Sequence, residues 1–351
     1  MFTELPAQED IRHFELKNKH GMSLKVTNFG ATITAINVPD KTGHFDDVAL
    51  GFKDPADYRK KNHQFFGGTI GPYANRINKG EFELGGTTHK LERNNGENHL
   101  HGGSTGFDKQ LWTVDSHTDN SITLSYFASD GEGGYPGNRN VQVTFRLTDQ
   151  NEIRIKYSAT TDKKTPMNLT NHTYFNLKGE GNGTIENHVL QLNASRMTPV
   201  DKHQIPTGIE SIKKTPLDFR EPAKLAERLA FRENPQIKIG GGLDHNWMIR
   251  GANGKDLRLA ARLFEPESGR VVEVRTKKPG IQVYSGNFLD GEFASKSGQS
   301  KYEKRTGICL ETQLPPDSPN HPDFPSAIID PEHPYESETV YRFSVQKSLG
   351  R

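Results

Sequence analysis

The chain lacks most of what would tie it to a special environment. It has one cysteine, Cys309, so no internal disulfide can form and nothing depends on an oxidising compartment. No window approaches the roughly 18 consecutive apolar residues of a membrane-spanning helix. The opening stretch MFTELPAQEDIRHF is acidic, without the apolar segment of a secretory leader. Charge of one sign is missing too. Lys+Arg 45 against Asp+Glu 44 leave a formal +1 over 351 residues, which excludes a broad basic footprint for nucleic acid or anionic lipid. Helical periodicity is scarce. Only residues 221–229 (EPAKLAERL) place a Pro near a helical start with Leu225 and Leu229 four apart on one face, a helix of about three turns. The expectation is a soluble cytoplasmic protein with no nucleic-acid partner and no membrane.

What is present points to strands. Hydrophobic residues make up only 32%, yet there are 19 Phe, 10 Tyr and 2 Trp, too many aromatics for a disordered chain. Gly 34 and Pro 20 supply frequent turns. Many short strands with one polar face give these numbers together. Val141, Val143, Phe145 and Leu147 alternate with Gln142, Thr144 and Arg146, the period of two that a half-buried antiparallel strand needs. Similar runs occupy 24–38 (broken at Gly30), 121–127, 152–160, 271–275 and 340–345. An all-β antiparallel sandwich, one domain over 1–351, is the expected architecture. A split near residues 180 to 185, in the run KGEGNGT, is the weaker option.

Four places hold polar side chains that a plain sandwich does not need. Arg76 follows Asn75 in GPYANRI, where a guanidinium fork suits hydroxyls, carboxylates or phosphates, or simply faces water. His99 and His101 are spaced to share a strand face, but no nearby carboxylate or cysteine completes a metal set; a hydrogen-bonding or structural role is the better reading. In 167–177 (MNLTNHTYFNL), counting by twos puts Asn168, Thr170, His172, Tyr174 and Asn176 on one strand face. That face suits either a polyhydroxylated ligand or a polar ladder between strands. Finally, Asp244 sits in GGLDHNW, and Glu311 lies in GICLETQ with Ile308 and Leu310 turned to the core. A carboxylate so placed is partly desolvated, which raises its pKa toward that of a general base; the plainer reading is an edge-strand charge.

Across these segments the sequence resembles the aldose 1-epimerase (galactose mutarotase) family. The resemblance is an ordered series: TNFGATI (27–33), GPYANRI (71–77), LHGG with GFDK (100–109), DGEGGYPG (130–137), NLTNHTYFNL (168–177), TPLDFR (215–220), GGLDHNW (241–247), PGIQVYSGNFL (279–289) and ETQLPPDSPNHPDFP (311–325). The closing PEHPY (331–335) stands where the family has Pro-Gly-Glu. The resemblance implies a large β-sandwich that interconverts the α and β anomers of free aldoses such as galactose and glucose, with no metal or other cofactor. It implies that His172 is the general acid and Glu311 the general base, the imidazole staying protonated while the carboxylate is ionised. Arg76, His101 and Asp244 match sugar-holding residues, and Asn75, Tyr174 and Gln282 lie in matching binding segments. The expected partner is a free monosaccharide, and the expected assembly a monomer or homodimer. A relative acting on a phosphorylated hexose, or a non-catalytic sugar sensor, stays open beside this reading.

Overall fold

In a computed structural model that describes residues 11–346, the alternation becomes two stacked sheets of antiparallel strands. The larger sheet has nine strands, ordered Thr113–Thr118, Ser121–Ala128, Arg139–Leu147, Glu152–Thr161, Tyr335–Val345, Arg270–Thr276, Arg258–Phe264, Val189–Leu192 and Ala223–Lys224. The smaller has six, ordered Tyr174–Phe175, Ile308–Gln313, Gly280–Tyr284, Asp244–Ile249, Ala194–Thr198 and Glu210–Ser211. A four-stranded sheet from His13–Lys17 to Phe45–Asp47 joins them at the N-terminal end.

Period-two burial explains the stacking. Along Arg139–Leu147 every second residue is buried, and Val141, Val143, Phe145 and Leu147 enter the main core. From the smaller sheet, Trp247, Ile281, Val283, Ile308 and Leu310 enter the same core. Phe175 meets the Tyr341 ring at 5.2 Å, and the Tyr341 hydroxyl donates to the Leu310 carbonyl at 3.2 Å, so the two sheets touch directly. Each such fully buried apolar side chain contributes on the order of 1.5–3 kcal/mol.

Strand parity then fixes what the other face of the smaller sheet carries. Pairing aligns Asn246 with Gln282 and Gln282 with Glu311. It also aligns Asp244 with Tyr284, Tyr284 with Cys309, and Cys309 with Tyr174. Directly paired residues, and residues two apart on a strand, share a face. The core face is therefore apolar and the outer face is carboxylate, amide, thiol and phenol.

Three local expectations need correction. Residues 167–177 are not one strand: Thr170–Asn171 pairs with Thr69–Ile70, and Tyr174–Phe175 pairs with the Ile308–Gln313 strand. Asn171 breaks the run, because its Oδ1 accepts from the Thr173 amide at 3.1 Å and hydroxyl at 2.6 Å, an Asx turn. Asn168 and Asn176 are consequently clamps: Asn168 takes the Leu314 amide, and Asn176 donates to the Gly183 and Thr306 carbonyls. The helix expected at 221–229 covers only Leu225–Leu229, because Ala223–Lys224 pairs with Val189–Leu192 instead, as the edge strand of the larger sheet. Further short helices occur at Ala56–Lys61 and Pro235–Gly240, the latter begun by an Asn234 cap and stopped by Gly241 at φ 63°.

The glycine-rich run after Lys178 is hydrogen-bonded to the segment around residues 296 to 300. Glu180 accepts from the Lys296 amide at 2.9 Å, and Gly181 takes the Ser300 hydroxyl. Among the described residues no helix is long and apolar enough to cross a membrane.

Candidate active site

A cavity of about 210 Å³ opens on the polar face of the six-stranded sheet. That is below the roughly 300–1,000 Å³ of sites built for drug-sized ligands, and it suits one small ring. Glu311, Tyr174, Tyr284 and Asp244 reach it from the sheet. Phe65, Asn75, Arg76, His101 and Gln204 reach it from connections around the sheet. Four of these wall residues have left-handed backbone: Phe65 (φ 61°), Asn75 (68°), His101 (54°) and Gln204 (61°). Non-glycine residues rarely adopt it, and such strain concentrates at functional sites.

His172 is delivered by its backbone. Its amide donates to the Gly68 carbonyl at 3.0 Å and its carbonyl accepts from the Gly67 amide at 3.0 Å. The Asn171 side chain also donates to the Gly67 carbonyl, at 2.8 Å. The ring then lies between two groups of the Ile308–Gln313 strand. Its Nδ1 is 3.5 Å from the Cys309 sulfur, and its Nε2 is 3.7 Å from Glu311 Oε1. Glu311 is 1% exposed and its Oε2 has no hydrogen-bond partner within the protein. Burial, reinforced by the nearby Asp244 charge and opposed by Arg76, pushes the Glu311 carboxyl well above the usual carboxylate range. The same burial lowers His172 to about 4. Burial therefore disfavours the imidazolium–carboxylate form that the family resemblance implied, and favours a neutral imidazole beside a protonated carboxyl.

Of the eight residues singled out in the sequence, seven line the cavity: Asn75, Arg76, His101, His172, Tyr174, Asp244 and Glu311. Gln282 stands behind, its Nε2 donating to Asp244 Oδ1 at 2.7 Å. Burial raises Asp244 while Arg76 pulls it back, and burial lowers Arg76 itself. His99 turns away, with Nδ1 donating to the Glu92 carbonyl at 2.7 Å. Sequence reasoning missed Tyr284 on the sheet and, away from it, Phe65, Asn95, Gln204 and Phe288. Phe65 packs edge-on against His101 at 4.8 Å, and Asn95 accepts from Arg76 Nε at 2.9 Å. Phe288, 56% exposed, lies at the cavity parallel to Tyr284. None of Phe65, Asn95, Gln204 and Phe288 sits on a strand of the sandwich, so no alternation announced them.

His101, His172 and Glu311 offer ligand atoms within 4.8 Å of one another, the make-up of a two-histidine, one-carboxylate metal site. The donor pattern argues against it. The Asn75 amide donates to His101 Nδ1 at 3.1 Å, so the neutral ring keeps its proton on Nε2. That nitrogen is a hydrogen-bond donor for a ligand oxygen rather than a lone pair for a cation.

Fold and cavity together define a class: a β-sandwich with an open polar site for a small polyhydroxylated ligand. The sequence profile of the aldose 1-epimerase family matches residues 12–342. Galactose mutarotase of Bos taurus is 42% identical over 348 residues, covering 98% of each chain. Aldose 1-epimerase of Escherichia coli K12 is 37% identical over 350 residues, covering 98% of this chain and 99% of its own. Among solved structures, galactose 1-epimerase from Lactobacillus acidophilus superposes with a TM-score of 0.84 at 31% identity, covering 98% of this chain and 97% of its own. The chain belongs to the aldose 1-epimerase family and is a carbohydrate isomerase.

Proposed function

We propose that the protein interconverts the α and β anomers of free aldohexoses such as galactose and glucose, with His172 and Glu311 as the two proton carriers. The observation that carries the reading is their 3.7 Å separation at the foot of a monosaccharide-sized cavity. Mutarotation moves one proton off the C1 hydroxyl and another onto the ring oxygen. Both oxygens are attached to C1, so the two carriers must be neighbours. The carboxyl pair of a retaining glycosidase stands about 5–5.5 Å apart, because it flanks a bond from opposite faces. In the ionised form Glu311 takes the C1 hydroxyl proton and His172 protonates O5. The C1–O5 bond opens, the aldehyde turns about C1–C2, and reclosure returns both protons. The pair ends as it began, whichever anomer leaves.

Arg76, Asp244 and His101 hold ring hydroxyls in this account, with Asn75 and Tyr174 completing the wall and Gln282 steadying Asp244. Arg76 is the one lysine or arginine among the lining residues, against two carboxyls, a poor balance for a sugar phosphate. All of these groups come from one chain, so a monomer or a homodimer is equally complete. The reduced thiol of Cys309 suits the cytoplasm, where we place the enzyme. Polarimetry on freshly dissolved α-galactose and α-glucose tests the proposal. The protein should speed the approach to equilibrium as well in excess EDTA as without it. A rate equal to buffer would leave a sugar sensor, and loss of rate in EDTA with recovery on adding Zn²⁺ would make the site metal-dependent.

A further inference from the structure

Arg76 and Asp244 are buried opposite charges on two walls of the cavity. Such groups gain most by closing into a direct, bidentate pair, which would consume the donors and acceptors a sugar needs. No ion pair joins them among the described residues. An amide lies between: Gln204 Oε1 accepts from Arg76 Nη2, and Gln204 Nε2 donates to Asp244 Oδ2 at 3.2 Å.

The residue is set there by its turn. Asp201 Oδ1 accepts from the His203 amide at 2.8 Å and the Ile205 amide at 3.0 Å. Asn98, next to the short strand His99–Leu100, donates to the His203 carbonyl at 3.1 Å. At the tip, Gln204 takes the left-handed conformation, a cost of order 1–2 kcal/mol for a residue with a Cβ. The second anchors complete the frame, Asn95 on Arg76 Nε and Gln282 on Asp244 Oδ1. A guanidinium has five N–H donors and a carboxylate about four lone-pair sites. With two of each engaged, about three donors and two acceptor sites remain, a pattern that matches hydroxyls able both to donate and to accept.

We propose that Gln204 is a positioning residue for the sugar, a neutral spacer that keeps Arg76 and Asp244 from pairing and orients both toward ring hydroxyls. The inference rests on the cavity being a sugar site, and it is separable from the proton chemistry. A charged residue at 204 would satisfy one partner and repel the other; an apolar one would release both.

The test uses the full chain as wild type, Gln204→Met and Gln204→Glu, with galactose titrated calorimetrically and mutarotation followed by polarimetry. Gln204→Met keeps volume but loses both hydrogen bonds, and should weaken Kd and KM by roughly tenfold. Turnover at saturation should stay within about twofold, since His172 and Glu311 are untouched. Gln204→Glu should bind at least as poorly as the Met variant, because its carboxylate faces Asp244. Should the Met variant fail to fold, Gln204→Ala at this half-exposed turn takes its place. Wild-type affinity in the variants would overturn the inference, as would a fall in kcat at unchanged KM. A wild type that binds galactose without turning it over would instead sink the epimerase reading and leave the affinity comparison standing, whereas one that binds no sugar would end both.

Discussion

Burial pushes His172 and Glu311 in opposite directions, and the shape of the pH profile follows. Groups this close titrate as a pair, and in the proposed reaction the competent form carries one proton between them. Because burial lowers His172 to about 4, a second proton joins the imidazole only near that pH, and the acid limb of kcat/KM belongs there. Because burial raises Glu311, the remaining proton is held to higher pH than an ordinary carboxyl would hold it, and the alkaline limb belongs to the carboxyl. This reverses the assignment that a permanently protonated histidine would give. Nitrogen-15 shifts should report a neutral His172 ring at pH 7, with its Nδ1 proton toward the Cys309 sulfur and Nε2 free to face the sugar. An imidazolium signal at that pH in the sugar-free protein would contradict the argument from burial.

Single elements carry the positioning, and here a glycine does what no other residue can. Gly67 sits at φ 65°, and a Cβ on it would lie 1.8 Å from the Ile33 carbonyl oxygen. The same residue bonds the His172 carbonyl and links it to the N-terminal sheet through the Ile33 amide at 2.9 Å. Gly67→Ala should therefore destabilise the protein by at least about 2 kcal/mol. In whatever folds, kcat should fall more than sugar affinity. Melting curves and steady-state kinetics check both, and an unperturbed variant would mean that this connection does not set His172. The same scale shows what the sequence makes legible. Alternation announces a strand wherever one face is buried, so Val141 to Leu147 and Ile308 to Gln313 read correctly, and the parity of Cys309, Glu311 and Gln313 follows. Alternation says nothing where an Asx turn cuts a run, as at Asn171, or where left-handed turns deliver side chains, as at Phe65 and Gln204. The helix at Pro235–Gly240 carried its own signals, Asn before Pro and Gly at the end, but lies on too short an apolar pattern to be noticed.

For the whole molecule, the sandwich serves to bring distant strands to one small floor. Its main core runs from Leu16 to Phe343, and we propose that residues 1–351 fold as one domain. One calorimetric transition, with matching calorimetric and van't Hoff enthalpies, should mark the unfolding; two separated transitions would restore a division near residues 180 to 185. In the proposed reaction this frame holds two proton carriers against C1 of a sugar. Turnover of Glu311→Gln at saturating galactose tests that role most directly, with His172→Asn alongside and binding verified by calorimetry. Glutamine keeps the shape and hydrogen bonding of Glu311 but cannot take the proton. Each variant should bind galactose within a few-fold of wild type while kcat falls by at least about 10²-fold, and the double variant should be little worse than either. Near-normal mutarotation by Glu311→Gln would contradict that role.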